Sequence, residues 1–248
     1  MKRYRKFCGW DTLLKLIEQV QIGMKGYARQ ILIHNERELQ QGRALIATIF
    51  ETGARIGEVI GGPNIEGLHV KDFHRITDRE VNVIFTIEKR YRKIRKVIKY
   101  RATDGTRLRW RTEEEAKKSG HPYEPYEGYE TKRVIEIRNI VFPRKEPLVP
   151  IMLGWVERIR REKGKDGKLF DFTYNRAYNI IKKAGEAIGE DFPPHRLRAE
   201  RATQLAVEYD FDDSELTEWF EWKNAKEAHN YTVLAPKIHE KMFQKLRW

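Results

Sequence analysis

The sequence predicts an α+β protein: a mainly helical body with a small antiparallel β-sheet. Three observations carry that expectation. Apolar residues recur at helical intervals on both sides of a central stretch. Within the stretch, Val81, Val83, Phe85 and Ile87 alternate with Asn82, Ile84 and Thr86, the period of a half-buried strand. Gly and Pro clusters, such as Gly61-Gly62-Pro63 and Pro193-Pro194, stand between the periodic runs rather than inside them.

In chain order, residues 11–33 read as a first helix, with Leu13, Leu14, Leu16, Ile17 and Val20 near one face and Asp11 or Thr12 as cap. A second helix is expected over about 36–51, stopped by Gly53, and a short third over about 55–60. The alternating strand runs into a basic series, Lys89, Arg90, Arg92, Lys93, Arg95, Lys96, Lys99 and Arg101, with no acid among them. Residues 102–130, with their clusters of Gly, Pro, Tyr and Glu, read as an insertion or a long hairpin tip. Two more strands are expected at 133–141 and 147–152, turned by Pro143-Arg144-Lys145. Helices follow at about 154–163, 173–189, 195–209, 214–222 and 236–248. With no repeat, low-complexity tract or linker in view, residues 1–248 are expected to form a single domain.

Composition narrows the partners. Lys and Arg number 49 against 37 Asp and Glu, a net charge of +12, with a pI near 9.6. Such a balance points first to a polyanion, the bland alternative being a solvated, solubility-tuned surface. From residue 195 onward nine Lys or Arg face ten Asp or Glu, so the excess belongs to the first 194 residues. One Cys, Cys8, excludes an internal disulfide framework and a Cys-rich zinc site. No apolar run approaches a membrane span, and no apolar signal core follows the basic start, so an intracellular protein without a membrane partner is expected.

The last quarter of the chain carries the chemistry. It holds His195, Arg198, Trp222 and, nine residues after the Trp, Tyr231. Far upstream, Arg55 follows Thr52-Gly53-Ala54 at the end of an apolar helix. A phosphodiester presents two non-bridging oxygens whose charge grows in the transition state. Guanidinium groups match them with planar, permanently charged, bidentate donors. Arg55 and Arg198 are candidates for that pair, and His195 shares a helix face with Arg198 because the two are three residues apart. The nucleophile must be a Tyr, a Ser or a water. A tyrosine, with an ordinary pKa of ~10, needs a base or a cationic field to give up its proton. Clamped phosphate and His195 together supply one. No carboxylate cluster suited to two metals is evident, so metal-independent cleavage without a cofactor is expected.

These motifs resemble those of the tyrosine recombinases, the superfamily of phage integrases and Xer-type recombinases. Thr52, Gly53, Arg55 and Glu58 match the family's first Arg motif, and His195, Leu197 and Arg198 match its His-x-Leu-Arg. Trp222 stands where the family usually has a His nine residues before the Tyr, here Tyr231; some members carry Trp there. An indole still donates a hydrogen bond but neither takes nor gives a proton in catalysis. The resemblance covers about residues 10–248.

It implies site-specific recombination or integration by attack of Tyr231, through a 3′-phosphotyrosine, on double-stranded DNA. It also implies a catalytic Lys on a hairpin after the first Arg. Lys89, 34 residues after Arg55, is favoured. Lys93 and Lys145 stay open, the latter preceding Leu148-Val149-Pro150, a segment like the strand after the family's Lys hairpin. Arg90, Arg92, Lys93, Arg95, Lys96 and Lys145 are expected to grip DNA. Four copies are expected around two duplexes, with a monomer when free and 236–248 docking on a neighbour. The separate helical domain that usually precedes the family's catalytic domain is not evident. A type IB topoisomerase-like enzyme and a non-catalytic DNA-binding module remain the alternatives. His229, two before Tyr231, is expected to be a surface or packing residue. The acidic series from Glu208 to Glu221 is expected to face solvent or a basic neighbour.

Overall fold

The computed structural model describes residues 7–63 and 65–232, with the side chains of 28, 75, 88–94 and 131–134 excepted. The expected docking helix at 236–248 lies outside the described residues. The chain divides into two compact units, residues 1–86 with 137–248, and residues 87–136.

In the first unit, helix α1 (Trp10–Glu18) buries Leu13, Leu16 and Ile17 and then stops. This corrects the helix expected through residue 33. Gly23 takes a left-handed φ of 81°. The backbone then folds back on itself, with the Gly23 N–H donating to Ile33 O at 2.8 Å and the Leu32 N–H to Met24 O at 2.8 Å. The apolar spacing of 20–33 therefore serves a loop that packs inward, with Leu32 and Ile33 fully buried.

Helix α2 (Glu36–Thr52) is the central element. Asn35 caps it by accepting the Glu38 N–H, and nearly its whole second half is buried. It packs against α5 (Val149–Lys163) and α7 (Pro194–Glu208). It ends at Gly53 in the left-handed conformation, φ 61°. The short α3 (Ile56–Ile60) follows as expected. Strand β1 (Phe73–Ile76) pairs antiparallel with the start of β2 (Glu80–Ala102), Phe73 opposite Val83 and Ile76 opposite Val81. As the alternation predicts, Val81, Val83, Phe85 and Ile87 are buried.

Strand β4 (Tyr123–Pro143) pairs with β2. The strand expected at 147–152 is instead a turn and the first residues of α5, with the Met152 N–H donating to Leu148 O at 3.2 Å. Pro150 fits there because the first turn of a helix does not use its N–H. Likeness of 148–150 to a strand after a Lys hairpin is thereby withdrawn as support for Lys145.

Helices α6 (Tyr174–Ala187), α7, α8 (Asp213–Phe220) and α9 (Ala225–Thr232) complete the body. Arg201 of α7, fully buried, donates to Glu146 and to Gln204, both at 2.6 Å, with Glu51 of α2 at 3.6 Å. The Tyr209 hydroxyl donates to Glu146 at 2.6 Å. Burial and the neighbouring Glu146 push the Glu51 carboxyl well up. Glu146, despite burial, is held below the ordinary range by Glu51 and Arg201. This paired network ties α2, α7 and the turn before α5. No described helix is long and apolar enough to cross a membrane.

In the second unit, β2 and β4 carry a short strand β3 (Arg109–Trp110), with Tyr100 opposite Trp110, and a short helix α4 (Glu113–Lys118). Thr112 caps α4 by accepting the Glu115 N–H. The acids missing from the basic series arrive from β4. Arg95 pairs with Glu130, Lys96 with Glu127 at 3.1 Å and Arg101 with Glu124 at 2.6 Å. Even so, residues 87–136 hold fifteen Lys or Arg against nine Asp or Glu, a net of +6.

Candidate active site

The site begins where α2 stops. Gly53 has to be a glycine here: its φ is 61°, and a Cβ would overlap the Phe220 ring. That close approach lets α8 lie against the α2–α3 junction. Arg55 occupies the N-cap position of α3. Its N–H donates to Glu58 Oε2 at 2.8 Å and its Nη1 to Glu58 Oε1 at 2.7 Å. Glu58 is 5% exposed and the Arg55 side chain 57%. The acid thus holds the exposed guanidinium from beneath. Burial pushes Glu58 up, but Arg138, Arg55 and Arg198 outweigh it and keep the carboxyl below its ordinary range.

Pro194 opens α7 in its first turn, and the helix carries His195 and Arg198 one turn apart. His195 is exposed. Arg198 Nη2 donates to Phe220 O at 2.9 Å, and its Nη1 donates to Gly53 O. One guanidinium therefore joins the end of α2 to the end of α8. Burial, with Arg138 and Arg55 nearby, pushes Arg198 down to about 9, so it stays cationic at neutral pH.

From Arg198 a column of rings leads to the tyrosine. The guanidinium lies 4.7 Å from the Phe220 ring centroid. Phe220 stacks on Trp222 at 4.7 Å and 16°, and Trp222 stacks on Tyr231 at 5.4 Å and 10°. Glu221, in the left-handed conformation with φ 48°, makes the turn that sets residues 220 and 222 face to face. Ala228, fully buried with Leu216 and Phe220, seats α9 and so Tyr231. Tyr231 itself is half-buried.

No family model matches the chain, and no curated protein matches it in sequence. Solved structures match it in fold. XerH site-specific recombinase bound to difH substrate, in a pre-cleavage complex, aligns with 100% of this chain and 56% of its own at TM-score 0.56 and 16% identity. A post-cleavage XerH complex with palindromic difH substrate gives 0.54 and 15%, covering 97% of this chain and 53% of that one. The Tn1549 transposon integrase in complex with transposon right end DNA gives 0.50 and 14%, covering 100% and 68%. The chain has the tyrosine-recombinase fold. It spans about half the length of the XerH chains it matches.

Within the tyrosine-recombinase fold, the structure brings Arg55, Arg198, Trp222 and Tyr231 into one region of the first unit, with His195 on the same helix as Arg198. Lys145 lies exposed in the turn after β4. Lys89, Arg90, Arg92 and Lys93 lie on β2, and their side chains are outside those described. His229 is exposed, with Nδ1 at 3.1 Å from Asp213, a surface residue as expected. Most of the acidic series is exposed, but Asp212 caps α8 and Glu221 is half-buried at the site.

Two members of the site escaped the sequence. Phe220 is the ring between Arg198 and Trp222, and its place beside Trp222 is visible only once Glu221 is known to turn the chain. Arg138 of β4, 2% exposed, stands 3.6 Å from Glu58. It shares the inward face with the buried Ile140 and Phe142, a face the sequence does not mark because both faces of β4 carry apolar residues.

Proposed function

We propose that the chain is the catalytic part of a site-specific DNA recombinase or integrase that works through a 3′-phosphotyrosine. The observation that carries this reading is the stack joining Arg198 through Phe220 and Trp222 to Tyr231, beside the Arg55–Glu58 pair. A phenol and two guanidiniums in one region of the first unit are what attack on a clamped phosphate requires.

Arg55 and Arg198 clamp the non-bridging oxygens of the scissile phosphate. Arg198 spends two of a guanidinium's five donors on Gly53 O and Phe220 O, which fixes its plane before DNA arrives. The Tyr231 oxygen attacks phosphorus while its proton passes to His195. The bond from phosphorus to the 5′ oxygen breaks, and that oxygen takes a proton from a lysine. Lys89 is the favoured donor, with Lys93 and Lys145 as alternatives. Trp222 supports the phenol by stacking and offers its N–H to the phosphate. Rejoining reverses these steps with the 5′ hydroxyl of a partner strand, so the bond energy is kept and neither metal nor cofactor is called on.

The basic ribbon of the second unit, with Arg90, Arg92, Lys93, Arg95 and Lys96, grips the duplex. The exposed pairs of Arg95 and Lys96 with Glu130 and Glu127 are weak enough for phosphate to compete. Double-stranded DNA is the partner, with four copies around two duplexes during exchange and a monomer when free, inside whichever cell carries that DNA.

The test is covalent capture on a pool of nicked duplexes of randomised sequence, in EDTA, with wild type beside Tyr231→Phe. A denaturant-stable protein–DNA adduct is expected with wild type alone. Its sequence preference separates a recombinase from a type IB topoisomerase-like enzyme, which would relax supercoiled plasmid without preference. Binding without any adduct would leave a DNA-binding module and sink the enzyme reading.

A further inference from the structure

Among the described residues, Arg138 is the buried cation of the site that takes no part in the mechanism above. It projects inward from β4 and is 2% exposed, with its guanidinium 5.2 Å from the Phe85 ring centroid. None of its three nitrogens has a hydrogen-bond partner. Its near partner is Glu58, whose Oε2 lies 3.6 Å from Nη2. A buried guanidinium so poorly bonded is a poor stabiliser, and an apolar side chain of similar volume would pack beside Phe85 at lower cost. Its charge, however, falls on the carboxylate that holds Arg55. Glu58 Oε2 takes the Arg55 N–H and faces Arg138, while Oε1 takes the Arg55 guanidinium.

We propose that Arg138 is a positioning residue for strand cleavage: from β4 it aims the buried Glu58 carboxylate, and Glu58 in turn holds the Arg55 guanidinium against the scissile phosphate. This rests on the reading of the site as a phosphodiester-cleaving centre. The guanidinium is too enclosed to touch DNA itself, so it acts through Glu58. The charged groups around the pair come from each neighbouring element. Arg55 on α3 and Arg198 on α7 face Glu58, and Glu221 after α8 adds its attraction to Arg138. The Arg138 charge is the first of the causes that hold Glu58 below its ordinary range, followed by Arg55 and Arg198. With Arg138 gone, burial is opposed by fewer cations, and Glu58 takes up a proton at a higher pH than before. A protonated Glu58 releases Arg55, so the deficit grows as pH falls and shrinks as pH rises.

The experiment measures single-turnover adduct formation for wild type, Arg138→Lys, Arg138→Met, Glu58→Gln and the Arg138→Met/Glu58→Gln pair, each checked for folding by circular dichroism. Arg138→Met is expected to slow cleavage about 10- to 100-fold near pH 6 and distinctly less near pH 8.5, with DNA binding little changed. Arg138→Lys should recover most of the rate. The double variant should be no slower than Glu58→Gln alone and should lose the extra pH dependence, because the two residues act in series. A deficit equal at every pH, or losses that multiply in the double variant, would overturn the proposal. A carboxyl NMR titration of Glu58 in the free protein stands apart from activity: Arg138→Met must raise its titration. Without an adduct from wild type the functional reading fails, and the titration still decides the Arg138–Glu58 link, an unmoved Glu58 refuting it.

Discussion

Arg198 shows how much of the site rests on the shape of a side chain rather than its charge. Its guanidinium bridges Gly53 O and Phe220 O and lies over the Phe220 ring that begins the stack to Tyr231. A lysine keeps the cation but has no planar fork, so it cannot reach both carbonyls and a phosphate together. Arg198→Lys is expected to lower the rate of adduct formation by roughly 10²–10³, the scale of losing one preorganised donor to a developing charge. Affinity for duplex DNA, spread over many phosphates, should change far less. A variant that cleaves at the wild-type rate would mean that charge alone serves the site. Trp222 obeys the same logic. Between Phe220 and Tyr231 a flat ring is needed, and an indole there donates without titrating.

At the scale of elements, α2 is locked from outside as well as from within. Arg176 of α6 donates to Glu38 at 2.6 Å and to Leu32 O at 2.8 Å, and Glu38 accepts the His34 N–H at 2.7 Å. Burial pushes the Glu38 carboxyl up, but the His34 N–H and Arg176 hold it below the ordinary range. A depressed carboxyl stabilises the fold above its unfolded pKa of ~4.3, and that stabilisation fades as pH falls through the lower folded value. Glu38→Gln should therefore cost about 1–2 kcal/mol in urea unfolding near pH 7, and the gap from wild type should close below about pH 4. A pH-independent gap would place the effect in packing instead. Elements of this kind were legible in the sequence where period and terminator agreed, as at α2 before Gly53, or α7 behind Pro193-Pro194. They were not legible where period ran on without structure. The apolar spacing of 11–33 continues across Gly23 although the helix has ended, and Pro147, Val149 and Pro150 look strand-like while opening a helix. In β4 the strand was visible but its inward face was not, because both faces carry apolar residues. The structure exposes Ile137 and Val141 and buries Arg138 beside Glu58 and the Phe85 ring.

For the whole molecule, half of the net charge of +12 resides in the compact unit 87–136. That excess is concentrated on 50 residues, so long-range attraction to DNA should come mainly from the ribbon. Counterion release makes that claim measurable, since each phosphate neutralised on B-DNA adds about 0.9 to the slope of log affinity against log salt. Arg92→Gln with Lys93→Gln should flatten the slope by about 1–2, across sequences alike, while leaving thermal stability within about 0.5 kcal/mol because both belong to a separately compact ribbon. The matched change Arg160→Gln with Arg161→Gln, on the last turns of α5, removes the same charge from the body. It should leave the slope nearly unaltered. Equal flattening by both pairs would show that DNA responds only to total charge, and the ribbon would lose its role as the grip.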